Sequence, residues 1–357
     1  MRYKTDWDKA QKRLTAFWNR DIVDRCCAAV TVTDPAHSIG AYKNAMPRDK
    51  EGRIRFWTDS ELIIKRNRDA MEHSYYAGEA FPLVNLDLGA AGHAGFFKGE
   101  KHEFADSVWF FPSLEDVNDL EFDDSLFMYR QTLNVARELV RDSRGDYLVS
   151  QPDCSGNADV LSHLMGPEEL LPAMLEEPDD IAAAMKKVQV AYERIQRDVY
   201  DIVRENNYGG SCIGWLSTWA HGLHSQMQSD VSVMISNEMY RTFIEPELRA
   251  QCDFLDYPLY HFDGVEQIRH LDTLLSIEKL RVIQWTQVAG QKPCTDYIPE
   301  LKRIQAAGKG LLILTYPDQV ETLMENLSSR GLYLVLSAGS RDEADAILKD
   351  IARWTHD

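Results

Sequence analysis

The chain has 357 residues, a formal net charge of −18 at pH 7 and a hydrophobic fraction of 44%. That fraction is enough for a sizeable core and excludes wholesale disorder. The negative charge argues against non-specific binding to nucleic acids or to anionic membranes, because both need a basic surface. It also argues, more weakly, against a free substrate that carries many negative charges.

The cysteines and the amino-terminal segment favour a cytoplasmic protein. Six cysteines are scattered along the chain without a CxxC pair, which is unlike the disulfide framework of a secreted protein. The first residues, MRYKTDWDKAQKRL, contain no apolar core of a signal peptide. No uncharged apolar run approaches the ~20 residues that a membrane-spanning helix needs. We therefore expect a soluble protein of the cytoplasm.

Short apolar runs in the first part of the chain are typical of buried β-strands. The runs are CCAAVTV (26–32), PLVNLDL (82–88), YLVSQPD (147–153) and SCIGWLS (211–217). A helix from about Pro178 to Asn206 is predicted between the third run and the fourth. Residues 34–146 are aromatic and rich in loop-forming residues. We interpret them as an irregular elaboration of the main domain.

Four more apolar runs follow in the second part, and an amphipathic segment comes after each one. The runs are LYHF (259–262), LRVIQW (280–285), LLILTY (311–316) and LYLVLSAG (332–339). After the last run, Glu343 lies three residues beyond Ser340, the spacing of a capping box at a helix start. Eight strands separated by helices predict an α/β fold of the (β/α)8 TIM-barrel type, as a single domain over residues 1–357. An active site would then lie at the carboxyl ends of the strands.

One apolar run ends in YHFDG, with His261 and Asp263 two residues apart. Alternate side chains of a strand point to the same face, so these two should lie together. They could ligate Zn²⁺, or Asp263 could orient the imidazole as a general base. The alternative is an ordinary pair that hydrogen-bonds to neighbouring loops, because a His-x-Asp pattern is common by chance.

Polar and aromatic residues follow the other predicted strands. Asp153 ends the run 147–153 and is the third candidate for a catalytic role. The candidates for substrate binding are Asn85, Asn157, Trp215, Trp219, Asp230, Gln284, Trp285 and Tyr316. This set contains almost no Lys or Arg. It would suit a neutral or cationic organic ligand, or a metal held by nitrogen and oxygen donors, better than a polyanion. The tryptophans could equally pack as a loop lid, and Asp230 could cap a turn.

Three segments resemble the uroporphyrinogen decarboxylase superfamily. They are AFWNRDIVDRCCAAVTV, VSQPDCSGNADVLSHLMGPEELLPAMLEEPDDI, and SDVSVMISNEMYRTFIEPEL together with the later YHFDG. The superfamily consists of (β/α)8 barrels and includes the decarboxylase and methyltransferases that act with corrinoid proteins. In its members the last block is a loop, a long helix and a strand whose end carries a functional histidine. His261 matches that histidine.

The resemblance has two departures. The decarboxylase grips its substrate's carboxylates with an Arg-rich amino-terminal segment, whereas residues 20–50 here contain only Arg20, Arg25 and Arg48. The zinc-dependent methyltransferases carry a His-x-Cys pair at this strand end, and here Asp263 replaces the cysteine. A histidine with a carboxylate is still a zinc environment, but a harder and less thiol-activating one.

The resemblance implies a methyltransferase-like enzyme. It would move a methyl group between a corrinoid carried by a partner protein and a small acceptor or donor. Zinc at His261 and Asp263 and a homodimer are further implications. One alternative is a lyase or hydrolase acting on a small neutral, sugar-like substrate, since carboxylates and tryptophans in one cavity suit sugars. Another is a non-catalytic barrel that binds a ligand, and decarboxylation of uroporphyrinogen is the least favoured.

Overall fold

Parallel strands dominate the computed structural model, which describes residues 1–89 and 91–357. The strands are β1 (Cys27–Thr33), β2 (Ser74–Gly78), β3 (Leu83–Leu86), β4 (Lys101–Phe104), β5 (Val108–Phe111), β6 (Leu148–Pro152), β7 (Ser211–Ile213), β8 (Thr218–Ala220), β9 (His224–Met227), β10 (Tyr257–Asp263), β11 (Val282–Thr286), β12 (Gly310–Leu314) and β13 (Leu332–Ser337).

Helices connect most of these strands. They are α1 (Trp7–Trp18), α2 (Ile39–Asn44), α3 (Lys50–Thr58), α4 (Ser60–Glu72), α5 (Phe127–Ser143), α6 (Asn157–Met165), α7 (Pro167–Glu176), α8 (Pro178–Val203), α9 (Asn237–Met239), α10 (Glu245–Phe254), α11 (Leu271–Ser276), α12 (Ile298–Ala306), α13 (Val320–Asn326) and α14 (Arg341–Trp354). A π-helical stretch, Tyr240–Ile244, joins α9 to α10. Among the described helices, none has both the length and the apolar composition needed to cross a membrane.

The strands form two larger sheets and a hairpin. The first sheet has the order β2-β1-β13-β12-β11-β10-β9, and only β2 is antiparallel to its neighbour. The second has the order β3-β6-β7-β8, with β8 antiparallel, and β4 pairs with β5. The prediction of an α/β fold with a parallel sheet is confirmed. Within the described residues, backbone ladders do not join β1 to β3 or β7 to β9, so closure into a barrel stays a prediction.

Successive residues of the parallel strands face two different cores. The inner core contains residues from the starts of strands in both sheets, and the buried face of α1 packs against these residues. The members of the inner core include Leu14, Phe17, Leu148, Leu259, Val282, Leu312 and Tyr333. The intervening residues face the helices; they include Tyr260, Ile283, Ile313 and Leu334. The same alternation directs His261 and Asp263 to the side of Leu259, beyond the inner core.

Helix starts follow the sequence signals closely. The α8 helix begins with Pro178 at its first position and Asp179 and Asp180 in its first turn, where a missing N–H and negative charge are tolerated best. At α14, the Ser340 hydroxyl accepts a hydrogen bond from the Glu343 backbone N–H at 3.2 Å. The Glu343 carboxylate accepts one in return from the N–H of Gly339, at 2.7 Å. The prediction of Ser340 as the N-cap is thus confirmed, whereas the return bond of a capping box goes to Gly339 instead of Ser340.

The segment 34–146 differs from its prediction. The sequence predicts an irregular segment around the one strand at 82–88, which is β3, but the segment also contains helices α2 to α5 and strands β2, β4 and β5. The α5 helix buries residues at the spacing of one helical face; they include Met128, Thr132, Leu133, Ala136 and Leu139. That the whole chain is a single domain stays a prediction.

Candidate active site

The imidazole of His261 is fixed by the neighbouring strand. Its Nδ1 lies 2.5 Å from Oε1 of Gln284, its register partner on β11. The Gln284 amide nitrogen donates to Oγ1 of Thr286 at 2.8 Å, which turns the amide oxygen toward the ring. Nδ1 must therefore carry the proton and donate it. The lone pair is left on Nε2, as in histidines that bind metals.

Two carboxylates share this face with His261. Oδ1 of Asp263 lies 3.8 Å from Nε2 of His261. Asp230 begins the 3₁₀ turn Asp230–Met234, and one ligand atom from each of the three residues lies within 4.8 Å of the others. We call Asp230, His261 and Asp263 the carboxylate–histidine trio. The structure thus brings together the predicted pair and a residue assigned to substrate binding, while their roles stay predictions.

Gly264 allows β10 to end directly after Asp263. Its φ is +86°, in the left-handed region that favours glycine. A Cβ at this position would lie 2.9 Å from the Gln291 side chain and 3.0 Å from that of Val288. A larger residue would therefore strain the backbone and push on the loop after β11. The glycine of YHFDG is explained by both requirements.

The trio suits a divalent cation electrostatically. Burial lowers the pKa of His261, so its imidazole is neutral near pH 7. Burial, with the nearby carboxylates of Asp159 and Asp263, raises the pKa of Asp230 to about 8. Water reaches the exposed edge of Asp230 and offsets part of this shift. One neutral imidazole nitrogen and two carboxylate oxygens are a donor set that Zn²⁺ accepts, with room for a further ligand.

A chain of amide groups connects the trio to a third acid. Nε2 of Gln228 donates to Asp230 at 3.2 Å. Nε2 of Gln226 donates to Oε1 of Gln228 at 2.9 Å and to Oδ1 of Asp153 at 2.5 Å. Neither glutamine is among the residues that the sequence analysis assigns to the site. Their i and i+2 spacing in HSQMQSD was the available signal, because residues at this spacing in an extended segment share one face.

Asp153 is held as a neutral acid. Burial raises its pKa to about 8, the negative charge of Asp87 adds to the shift, and the Gln226 hydrogen bond opposes it. A carboxyl that titrates near neutral pH can both donate and accept a proton there. Asp153 therefore has the properties of a general acid or base.

Trp215 contacts the trio and also lines a cavity. Its ring meets the His261 ring edge-on, with centroids 4.8 Å apart and planes at 87°. Its Nε1 donates to Oε1 of Gln226 at 2.6 Å, which fixes the indole. Trp215 is also one of the residues that line a cavity of about 280 Å³. One side chain thus contacts both the histidine and the space where a small molecule would fit.

The cavity is more cationic than the sequence predicts. Asn85 and Asp87 line it from the end of β3, and Lys43 and Arg66 line it from α2 and α4. Nζ of Lys43 lies 3.2 Å from a carboxylate oxygen of Asp87. Burial lowers the pKa of Arg66 to about 10, with only the charge of Asp87 opposing. The expectation of almost no Lys or Arg is corrected, because these cations come from helices in the segment judged irregular.

Three residues assigned to substrate binding lie elsewhere. The Asn157 amide donates to Gln189 of α8 at 2.9 Å, between helices. Trp219 lies on β8, which returns the chain to the starts of the strands, and its ring packs edge-on against Trp7 of α1. Trp285 follows Gln284 by one residue, so the strand alternation points it outward, where it stacks on Phe262 at 4.9 Å.

The remaining candidates are placed as follows. Asn85 accepts a hydrogen bond from the Ser150 hydroxyl at 3.1 Å and packs against the backbone of Gly214 at the cavity wall. Tyr316 lies beyond β12 with 58% of its surface exposed. It is not among the described residues that line the cavity.

Comparison with known proteins shows a likeness in structure and none in sequence. No protein-family model matches the chain, and no curated protein is significantly similar to it in sequence. A solved structure of a methyltransferase from Methanosarcina mazei aligns with a TM-score of 0.63 at 12% identity. The alignment covers 97% of this chain and 98% of that one. The two proteins therefore share a fold over nearly their whole lengths.

Proposed function

We propose that the chain is a methyltransferase-like enzyme of the uroporphyrinogen decarboxylase superfamily. It moves a methyl group between a corrinoid carried by a partner protein and a small acceptor or donor. The observation that carries this proposal is the imidazole of His261, fixed by Gln284 and facing Asp230 and Asp263 at strand ends. The fold shared with a methyltransferase and the resemblance of three sequence segments support it.

A closed (β/α)8 barrel is part of the proposal. The eight barrel strands would be β1, β3, β6, β7, β10, β11, β12 and β13. In this barrel β9 would continue the position of β7 next to β10. Residues of both sheets contribute to one inner core, among them Leu148 and Leu259. At the seam between β7 and β9, the Ser211 hydroxyl accepts from the His224 N–H at 2.6 Å and approaches the His224 carbonyl at 3.0 Å. A side chain there takes the place of a backbone ladder.

The trio would hold a Zn²⁺ ion through Nε2 of His261 and oxygens of Asp230 and Asp263. A bound Zn²⁺ lowers the pKa of a coordinated thiol, alcohol or water and thereby generates a nucleophile. Gln284 keeps the His261 lone pair available, and the Gln228 amide orients Asp230. Two oxygen ligands make the site harder than one with thiolates, which favours an acceptor or donor other than a soft thiol.

The other residues would bind the small substrate and exchange a proton with it. The cavity beside Trp215 would hold the substrate, and Lys43, Arg66 and Asn85 would contact its polar groups. Asp153 would keep a proton on Oδ2, since Oδ1 accepts from Gln226, and would exchange that proton with the substrate. Trp215 would exclude water from His261 on one side. Homodimer formation stays a prediction.

A methyl-transfer assay tests the proposal. Purified protein is incubated with methylcob(III)alamin and a panel of thiol, folate and amine acceptors, and also in the reverse direction with methylated donors. His261→Ala should reduce turnover by at least roughly 100-fold, since it removes the only nitrogen of the trio. His221→Ala, an exposed histidine outside the site, is the control. Absence of turnover with every acceptor and donor would refute methyl transfer.

A lyase or hydrolase acting on a small neutral molecule is the second candidate. The neutral Asp153 carboxyl and the Trp215 indole favour it, because acid catalysis and ring stacking are what sugars need. A panel of nitrophenyl glycosides would detect such an activity, and Asp153→Asn should abolish it. A barrel that only binds its ligand would instead retain binding in this variant and show no turnover in either form.

A further inference from the structure

A second group of metal-binding residues lies on different elements from the trio. Asp69 and His73 are on one face of α4 and just beyond its end, and His37 is in the turn Pro35–His37 after β1. One ligand atom from each residue lies within 4.8 Å of the other two. We call His37, Asp69 and His73 the two-histidine cluster.

Both imidazoles of this cluster lie against Asp69. Nδ1 of His37 lies 2.7 Å from the carboxylate oxygen Oδ2 of Asp69. Nδ1 of His73 donates to the backbone carbonyl of Asp69 at 2.8 Å and lies 3.7 Å from its Oδ1, so Nε2 of His73 keeps a lone pair. The two rings stack with centroids 3.5 Å apart and planes at 6°. Two stacked rings at this distance repel each other if both are protonated. A single cation shared by both rings and the carboxylate avoids that repulsion.

The carboxylate is fixed in place by a residue outside the cluster. The Tyr42 hydroxyl on α2 donates to Oδ2 of Asp69 at 2.7 Å. Such an outer hydrogen bond orients a ligating carboxylate toward an ion. The i and i+4 spacing of Asp69 and His73 further pre-positions two ligands on one helix face. The entropy lost when a cation binds is therefore reduced.

The two rings have room to adjust to an ion. The His37 and His73 side chains are 35% and 39% exposed. A ring nitrogen binds a metal in the plane of the ring, so parallel rings must rotate apart to share one ion. Because more than a third of each side chain is exposed, the rings are not enclosed by the protein on every side. Water can then complete the coordination shell.

We propose that His37, Asp69 and His73 bind one divalent transition-metal ion, of the class that prefers imidazole with carboxylate, such as Zn²⁺, Ni²⁺ or Cu²⁺. The ion would tie the connection after β1 to α4. That connection leads into α2, which carries Lys43 on the cavity wall, so metal binding would stabilise this wall. The site is independent of the proposed catalytic trio and of the reaction assigned to it.

Zinc titration of the full-length protein, freed of metal with a chelator, tests this inference. His37→Ala with His73→Ala should remove one bound zinc per chain, while His261→Ala leaves that ion in place. Zinc should raise the Tm of the His261→Ala protein and of the control His221→Ala. In the double variant, the part of this increase that comes from the two-histidine cluster should be lost. Asp69→Asn should weaken zinc binding at the cluster by roughly 10- to 100-fold. This single variant replaces the double variant in the test if the double variant misfolds.

Two results decide whether the two-histidine cluster binds zinc. Loss of one zinc only in the double variant supports the two-histidine cluster even if the trio proves empty. Unchanged zinc stoichiometry and affinity in both the double variant and Asp69→Asn would overturn it, whatever His261→Ala does. Co²⁺ titration adds a spectroscopic readout, since nitrogen ligation changes the visible absorption of this ion.

Discussion

Nδ1 of His261 lies 2.5 Å from Oε1 of Gln284, so a side chain of β11 fixes the tautomer of an imidazole on β10. The two residues are register partners in adjacent parallel strands, and strand alternation points both to the same face. A rigid backbone relationship therefore decides which nitrogen of the histidine is available for chemistry. The trio depends on this bond as much as on its own three residues.

Replacing Gln284 should weaken zinc binding at the trio. In Gln284→Leu the Nδ1–H of His261 keeps only a long contact to the Thr286 hydroxyl, at 3.4 Å, so the ring is freer to change tautomer and orientation. Zinc affinity at this site should fall by roughly 10- to 100-fold, as when other outer partners of metal ligands are removed. Calorimetric titration in the His37→Ala/His73→Ala background isolates the site. Gln284→Glu keeps an acceptor and should retain the affinity, whereas equal affinity in Gln284→Leu and the parent would refute this role.

Asp153 should make stability depend on pH. Its pKa is raised to about 8 in the folded protein, so between about pH 4 and pH 8 the unfolded chain is ionised there and the folded one is protonated. The unfolded state then binds fewer protons, and this residue's contribution to folding falls as pH rises, by at most about 1.4 kcal/mol per pH unit. Above about pH 8 both states are ionised and the loss is complete.

The variant Asp153→Asn checks this sign. Its amide stays neutral at every pH, so its stability relative to the parent should increase from pH 5 to pH 8 and then level off. Urea unfolding of both proteins across that range measures the difference. A difference that stays constant with pH would mean that Asp153 titrates like an exposed carboxyl.

Local patterns predicted the elements and the central pair, and long-range packing decided the rest of the site. The apolar runs predicted the eight main strands, and period-two alternation placed His261 with Asp263. The same alternation directs Trp285, one residue after Gln284, away from the face that carries His261. Lys43 and Arg66 reach the cavity only because α2 and α4 fold against the end of β3. No local signal in the sequence reports such an approach.

The short strands between β7 and β10 show the same limit. The chain reverses after Gly214, runs back as β8 and returns as β9. Trp219 is carried to the inner core near α1 by the reversal, and Gln226 is carried to Asp153 by the return. A strand of three residues has too few positions to show a period. The sequence therefore predicted one strand where three are present.

The buried Glu79 should be essential for stability. Its side chain is fully buried and accepts two hydrogen bonds from Arg25, both at 2.8 Å, and one from the Ala28 N–H at 2.8 Å. Glu79→Ala leaves the Arg25 guanidinium buried without its partner and should cost about 3–5 kcal/mol. The exposed pair of Glu138 and Arg141 is the control, and Glu138→Ala should cost less than about 1 kcal/mol. Similar midpoints of chemical unfolding for Glu79→Ala and Glu138→Ala would contradict the prediction that the buried Glu79 is essential for stability.

Gly264 should affect both stability and the trio. Gly264→Ala forces a Cβ onto a backbone with φ +86° and against the side chains of Gln291 and Val288. The backbone strain alone should cost about 1–3 kcal/mol, because φ +86° with ψ +170° is a conformation essentially confined to glycine. Gly290→Ala is the matched control, because its φ is +84° and a Cβ there would meet no described atom within 4 Å. Only Gly264→Ala adds the steric clash next to Asp263, so it should lose more stability than Gly290→Ala and should also weaken zinc binding at the trio. Equal losses of stability with unchanged zinc affinity would show that the position of Asp263 does not depend on the turn that follows it.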